Sequence, residues 1–125
     1  MKKIIAFVLS FILVLSLASC AAKKPTADFK IFDLEGNVLY SFSEEITDGC
    51  SAGTLLEKYF KENSIPYTIY DNDMLESVND LVMDTENWSI YWAVYVNGEY
   101  GTVSLWQQEL KDGDLIEIKF EEFAM

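Results

Sequence analysis

The side chains of this sequence that could do chemistry are carboxylates, tyrosines, tryptophans and two cysteines. A serine or cysteine nucleophile with a histidine base is excluded, because the 125-residue chain contains no His. Cys50 precedes a helical pattern, where a thiol can be activated, but without a base we interpret it as a partly buried structural thiol. The 21 Asp and Glu residues bring carboxylates together by number alone, so they do not indicate a hydrolase. We predict that the protein is not an enzyme.

Two acidic segments, DNDMLE and KDGD, could be taken for metal sites. A calcium loop of the EF-hand type requires Gly at its sixth position, where Glu76 stands. Turn formation is sufficient to explain Asp112, Gly113 and Asp114. We therefore predict no metal site and no bound cofactor.

The segment YWAVYVNGEYG, Tyr91 to Gly101, lies in the strongest strand pattern of the chain, WSIYWAVYV at residues 88–96. Alternation places Trp92 on one face and its neighbour Tyr91 on the other. Two interpretations of Trp92 stay open. It fills the core if its face packs against a helix. If that face lies at the rim of the domain, it forms a platform for a flat ligand with Trp88 and Trp106.

The tyrosines of the same segment are candidates for an exposed aromatic surface, where such residues commonly anchor partners. Asn97-Gly98 is the signature of a type I′ turn, which would bring the flanking aromatic residues together. The candidate ligand-binding residues are Tyr91, Trp92, Tyr95, Asn97 and Tyr100.

The N-terminus has the pattern of an export signal, with Lys2 and Lys3 before an apolar run that falls short of the ~20 residues a membrane-spanning helix needs. Its last four residues, LASC, resemble the lipobox of bacterial lipoproteins. That resemblance implies a signal peptide at 1–19, lipidation of Cys20, a tether at 20–27 and a folded domain at 28–125. It also implies an extracytoplasmic protein anchored to the bacterial cell membrane.

Charge restricts the partners of the domain. Removal of Lys2 and Lys3 with the signal peptide leaves seven Lys, no Arg and 21 acidic residues, and changes the formal net charge from −12 to −14. Nucleic acid is therefore not an expected partner, because phosphate binding needs a cationic surface. The membrane is expected to hold the protein through its lipid anchor.

The remaining pattern predicts one helix among several strands. FKIFDL and VLYSFSEEI form a hairpin with Gly36 in its turn, and TLLEKYFKEN has helical spacing with a capping box at Thr54 and Glu57. The other segments are predicted as extended: YTIY, MLESVNDLVM, WSIYWAVYV, TVSLWQQEL and LIEIKFEEF. Helix stays open as an alternative for part of MLESVNDLVM. This order predicts an α+β fold, a β-grasp-like two-layer sandwich of a mixed sheet and one main helix.

Four segments in this order resemble a bacterial family of domains of unknown function that is similar to the C-terminal β-domain of transcobalamin and intrinsic factor, the animal cobalamin carriers. They are GTLLEKYF (53–60), ESVNDL (76–81), YWAVYVNGE (91–99) and LKDGDLIEI (110–118). The sequence departs from the family pattern at Asp80, where the family has Gly.

This resemblance implies a binding module for a small molecule, with cobalamin or a related corrinoid as the leading candidate and a transporter or surface protein as a further partner. The α/α-barrel of the animal carriers is absent from this sequence. The alternative is a protein-interaction or adhesion module at the cell envelope, which would present a flat aromatic patch and no pocket.

Overall fold

The computed structural model describes residues 24–122. The predicted signal peptide, Cys20 and residues 21–23 of the predicted tether lie outside the described residues. One helix and eight strands are described: β1 Thr26–Phe32, β2 Val38–Glu45, α1 Ala52–Glu62, β3 Tyr67–Tyr70, β4 Met74–Val78, β5 Leu81–Val82, β6 Ile90–Val96, β7 Glu99–Tyr100 and β8 Leu115–Glu122. Within this region no helix has the length and apolar character needed to cross a membrane.

The main sheet has five strands in the order β2-β1-β8-β6-β7. Its central pair, β1 and β8, is parallel, and the other neighbours are antiparallel. The predicted hairpin of β1 and β2 is confirmed, with Gly36 at a φ of 87° in its turn. Alternate residues of the central strands are buried on one face: Ala27, Phe29 and Ile31 of β1 with Ile116, Ile118 and Phe120 of β8.

Helix α1 covers that apolar face and forms the second layer. Leu55, Leu56 and Phe60 are buried on its inner side, and the Tyr59 ring stacks on Phe42 of β2 with centroids 3.6 Å apart. Burial of each large apolar side chain contributes about 1.5–3 kcal/mol. The predicted two-layer α+β arrangement of a mixed sheet and one helix is therefore confirmed.

The capping box at Thr54 and Glu57 is wrong. The helix begins three residues earlier than that box requires, with Ser51 as its N-cap, and the Ser51 hydroxyl accepts a hydrogen bond from the Thr54 N–H at 3.2 Å. An N-cap oxygen satisfies one of the helix's four unpaired N–H groups, and Ser51 performs that role as well as threonine would.

A second sheet of three short strands, β3-β4-β5, lies beside the first. The segment MLESVNDLVM is not one extended strand as predicted, because a turn at Asn79 and Asp80 folds β5 back on β4, with Val78 paired to Leu81. Asn79 takes the positive φ of this turn, 54°, and Asp80 does not. The departure from glycine at Asp80 is therefore accommodated without backbone strain.

The prediction that TVSLWQQEL crosses back as a strand is also wrong. Residues 101–110 are irregular apart from a single bridge between Ser51 and Glu109. The carbonyls of Leu105 and Gln108 instead accept hydrogen bonds from Gly53 N–H at 2.8 Å and Ala52 N–H at 3.0 Å. These two carbonyls pair with otherwise unsatisfied N–H groups at the start of the helix. They are therefore not available for hydrogen bonds to a neighbouring strand.

Candidate functional site

The turn between β6 and β7 is the one that Asn97-Gly98 predicts, with φ values of 52° and 86°. Both polar atoms of the Asn97 side chain form hydrogen bonds within the fold. Its Nδ2 donates to Asp114 Oδ1 at 2.9 Å, and its Oδ1 accepts from Leu115 N–H at 2.8 Å. Asn97 therefore fastens the hairpin to the start of β8 and lies away from the site described below.

Tyr95 lies on the outer face of the sheet. Its hydroxyl donates to the Glu121 carboxylate at 3.0 Å, the Lys119 ammonium lies 4.7 Å from its ring centroid, and the Tyr100 ring meets it edge-on at 5.6 Å. Desolvation, then hydrogen bonding to Glu121, raises the pKa of Tyr95. Its polar group is thus engaged with the sheet.

A cavity of about 140 Å³ opens along the edge of β6. Strand β7 pairs with that edge at Tyr95 and Val96, and Gly101 N–H donates to the Val94 carbonyl at 2.8 Å. The cavity lies beyond this contact, between the earlier part of β6, residues 101–105 and the start of β4. The walls of the cavity are formed by Asp73, Met74, Leu75, Tyr91, Trp92, Val94, Tyr100, Gly101, Val103, Ser104 and Leu105.

Trp92 and Tyr91 both line this cavity although they lie on opposite faces of β6. Trp92 pairs with Phe120 and is 6% exposed, which confirms its place in the core. Tyr91 pairs with Glu121 on the outer face and is partly buried. Because the cavity lies at the strand edge, it reaches residues of both faces.

Two residues that line the cavity each contain a buried side-chain polar atom without a hydrogen-bond partner within the described region. The two atoms are Trp92 Nε1 and Ser104 Oγ. A buried donor without a partner costs about 1–3 kcal/mol, and such groups are rare in folded proteins. The other concave surfaces, of about 430, 400 and 210 Å³, include neither atom in their walls. Among residues 24–122, the unsatisfied buried side-chain atoms therefore belong to two residues of this cavity's wall, and each atom has almost no surface accessible to solvent.

The rim of the cavity is apolar and open to solvent. Met74 is 37% exposed, Val103 44% and Tyr100 59%, and all three belong to the cavity wall. Exposed large hydrophobic groups that cluster around a recess mark a ligand or partner surface more often than isolated ones do. Asp73 adds one carboxylate to this rim.

Tyr91 keeps its proton at physiological pH. Desolvation, followed by a hydrogen bond with the Tyr100 side chain, raises the pKa of Tyr91 from 10.0 to about 12. The cavity wall therefore presents a neutral phenol at this position.

The remaining acidic groups are explained by the fold. Asp112 Oδ1 accepts from Thr26 N–H at 3.0 Å, and Asp114 Oδ2 accepts from Lys111 N–H at 2.8 Å. Across residues 24–122, no three acidic, Cys or His side chains are grouped so that they could hold a metal ion. Cys50 is half-buried, and its sulfur lies 3.8 Å from the Ser51 carbonyl oxygen.

The structure thus brings together three of the five predicted site residues, Tyr91, Trp92 and Tyr100, and gives Tyr95 and Asn97 structural contacts elsewhere. The sequence did not indicate Asp73, Met74, Gly101, Val103 or Ser104 as site residues. Val103 and Ser104 lie within residues 102–110, which the sequence predicts as a strand, and no local pattern shows that this segment lies beside β6.

Solved structures with a similar fold include a candidate metal-binding protein from Ruminococcus gnavus. It has 20% identity and a TM-score of 0.62, and the match covers 81% of this chain and all of that one. Haptocorrin in complex with Cbi is also similar, with 14% identity and a TM-score of 0.66 over 82% of this chain. At these identities the similarity concerns the fold.

The chain spans only 27% of the haptocorrin chain. No curated protein matches the sequence significantly. Residues 49–122, more than half of the chain, match the family described as Domain of unknown function (DUF4430). The protein belongs to this DUF4430 family.

Proposed function

We propose that this protein is a small-molecule binding module and that the cavity at the edge of β6 is its binding site. The observation that carries the proposal is the exposed apolar rim of a cavity whose wall also contains the polar residues Asp73, Tyr91 and Ser104. A recess with apolar walls and a few convergent polar groups is the usual form of a ligand site. The protein acts by binding, and we assign it no catalytic step.

A corrinoid is the leading ligand. Haptocorrin in complex with Cbi supports this choice, because a portion of that protein shares the present fold. The cavity, at about 140 Å³, is smaller than the roughly 300–1,000 Å³ of a site that encloses a drug-sized ligand. The domain would therefore hold one part of a corrinoid, with the ring lying over Met74, Tyr100 and Val103.

The β-grasp assignment belongs to this proposal. The parallel pairing of β1 with β8 at the centre of the sheet, together with the helix on one face, supports it. The arrangement leaves the β6–β7 hairpin at the sheet edge, where the cavity opens.

Membrane attachment is proposed from the sequence. LASC at residues 17–20 supports lipidation of Cys20 after export, and two or more acyl chains give stable anchoring where one does not. A binding module held outside the cytoplasm in this way would suit delivery of its ligand to a transporter or surface protein. A protein-interaction module is less well supported, because Tyr91 and Tyr100 line a recess.

Calorimetric titration of cobalamin and cobinamide into the purified full chain in detergent tests the binding function. We expect saturable binding, weakened at least fivefold by Tyr100→Ala at the rim. Val38→Ala is the matched control, because Val38 is 52% exposed on edge strand β2 and outside the cavity. If neither corrinoid produced heat of binding, the choice of ligand would be contradicted. Equal effects of the two variants on the affinity would contradict the site.

A further inference from the structure

Trp88 is held at the surface in an unusual backbone conformation. Its φ is 56°, in the left-handed region that bulky residues rarely adopt, and 41% of the residue is exposed. The Asp84 carboxylate accepts from the N–H groups of Glu86 and Asn87 at 3.0 and 3.2 Å. The Asp84 carbonyl accepts from Trp88 N–H at 3.1 Å. This loop therefore fixes a large aromatic residue where solvent reaches it.

Tyr70 extends the aromatic surface at this point. Its ring meets that of Trp88 edge-on, with centroids 5.7 Å apart and planes inclined by 80°. In an edge-on pair the two rings do not cover each other face to face, so ring faces stay free for a third group. Neither residue lines the cavity beside Trp92, and the pair is a separate feature of the surface.

The part of the chain that surrounds this pair carries charge of one sign. Residues 62–110 contain no Lys, Arg or His and nine Asp and Glu residues. Asp71 directly follows Tyr70, and Glu86 lies two residues before Trp88. Both carboxylates are exposed, and neither takes part in a salt bridge within residues 24–122. The aromatic pair is thus flanked by negative charge that the fold does not neutralise.

We propose that Trp88 and Tyr70 form a binding site for an organic cation that carries a quaternary ammonium group. A cation over the face of an aromatic ring is attracted by the ring's electrons, and tryptophan is the strongest partner. The flanking carboxylates attract cations to the site and repel anions. The fold already contains a contact of this kind, because the Lys119 ammonium lies 4.7 Å from the ring centroid of Tyr95.

Exposure of the site selects among cations. A primary ammonium is compact and strongly hydrated, so at an open surface it keeps its water. A quaternary ammonium has no N–H group to satisfy, and its methyl groups contact the rings directly. A neutral group of the same shape makes the apolar contact but gains nothing from Asp71 and Glu86. This site is distinct from the cavity of the proposed function and does not depend on it.

Three small probes test the assignment. Choline carries the quaternary ammonium, 3,3-dimethyl-1-butanol replaces it with an uncharged group of the same shape, and ethanolamine carries a primary ammonium. Each is titrated into the ¹⁵N-labelled full chain in an uncharged maltoside detergent, while the Trp88 indole N–H and Ser89 amide resonances are followed by NMR. Trp88→Phe identifies the indole resonance. We expect choline to shift both resonances saturably, and the two analogues to bind roughly fivefold more weakly.

Glu86→Gln tests the charge and leaves the loop intact, because the backbone N–H at this position still donates to Asp84. Glu35→Gln is the matched control. Glu35 is also exposed, and its N–H donates to Asp33, two residues before it, at 3.1 Å. It lies in the turn between β1 and β2, and β8 separates β1 from β6. We expect Glu86→Gln to weaken choline binding roughly threefold and Glu35→Gln to leave it unchanged.

Trp88→Ala removes the ring, and the Ser89 amide then reports binding. We expect choline no longer to shift that amide saturably, while the amide pattern of the rest of the chain shows that the variant is folded. A Ser89 shift that survives this change would place the cation elsewhere and overturn the assignment. No response to choline, equal responses to choline and either analogue, or equal affinities of the Glu86→Gln and Glu35→Gln variants would overturn it as well.

Discussion

The ring of Trp92 on β6 packs against the ring of Phe120, its direct neighbour on β8, with centroids 4.7 Å apart and planes inclined by 37°. Trp92 also lines the cavity at the strand edge, where its Nε1 has no partner within the described part of the chain. One residue thus contributes to the core and to the wall of the cavity. The two contributions are separable by mutation.

Trp92→Ala should lower the free energy of unfolding by about 3–5 kcal/mol, because it removes a buried aromatic ring and leaves a cavity. Trp92→Phe should cost much less, since it retains ring packing and removes an unsatisfied donor. Chemical denaturation measures both. Tyr100→Ala serves as the control, and its effect should stay within about 0.5 kcal/mol. Negligible and equal effects of the two alanine variants would place Trp92 outside the core.

Asn97→Ala should destabilise the protein by about 1–2 kcal/mol more than Asn72→Ala does, because it removes two side-chain hydrogen bonds to the start of β8. The comparison is matched, since Asn72 has a similarly positive φ of 62° and no side-chain hydrogen bond within residues 24–122. Thermal denaturation of the two variants gives the difference. Equal losses would show that backbone conformation, and not the bonds to Asp114 and Leu115, makes Asn97 important.

Gly53→Ala should destabilise the protein, although alanine in place of glycine normally stabilises a helix by about 1 kcal/mol. A Cβ at this position would lie 2.4 Å from the ring of Trp106, and overpacking of this kind costs about 1–3 kcal/mol. When Trp106→Ala is combined with Gly53→Ala, part of the destabilisation caused by Gly53→Ala should disappear. A double-mutant cycle by denaturation measures the coupling, and additive effects would argue against direct contact.

The free energy of unfolding should fall as the pH rises from 10 to 12. Tyr91 ionises near its ordinary pKa of 10.0 in the unfolded chain, whereas its folded pKa is about 12, so the unfolded chain binds fewer protons within this range. The contribution is complete below pH 10. Tyr91→Phe should lose less stability across the range than the parent chain, as measured by denaturation at fixed pH values. Identical slopes would contradict the raised pKa.

Most of the fold follows from two patterns, the alternation of apolar residues in β1, β6 and β8 and the helical spacing of apolar residues in 55–60. Each of these elements buries one face against the other layer. Asn97-Gly98 identifies its own turn through the conformational preferences of two residues. These features are local, and the sequence predicts them.

The site is harder to predict because it depends on contacts between distant segments. Ser104 lines the cavity in a segment held to the start of the helix, where the carbonyl of the adjacent Leu105 accepts a hydrogen bond from Gly53. Asn97 is a polar turn residue of the kind that can bind a ligand, but its side chain is hydrogen-bonded to Asp114 and Leu115. Neither relationship is visible in local periodicity.

The central claim is that ligand occupies the cavity beside Trp92. The most direct measurement follows the tryptophan indole N–H resonances of the ¹⁵N-labelled full chain by NMR during titration with cobinamide. We expect the Trp92 resonance to shift saturably, while that of Trp106, whose N–H donates to Glu57 at 2.9 Å outside the cavity, stays nearly fixed. Saturable binding with an unmoved Trp92 resonance would place the ligand elsewhere and contradict the assignment of this cavity.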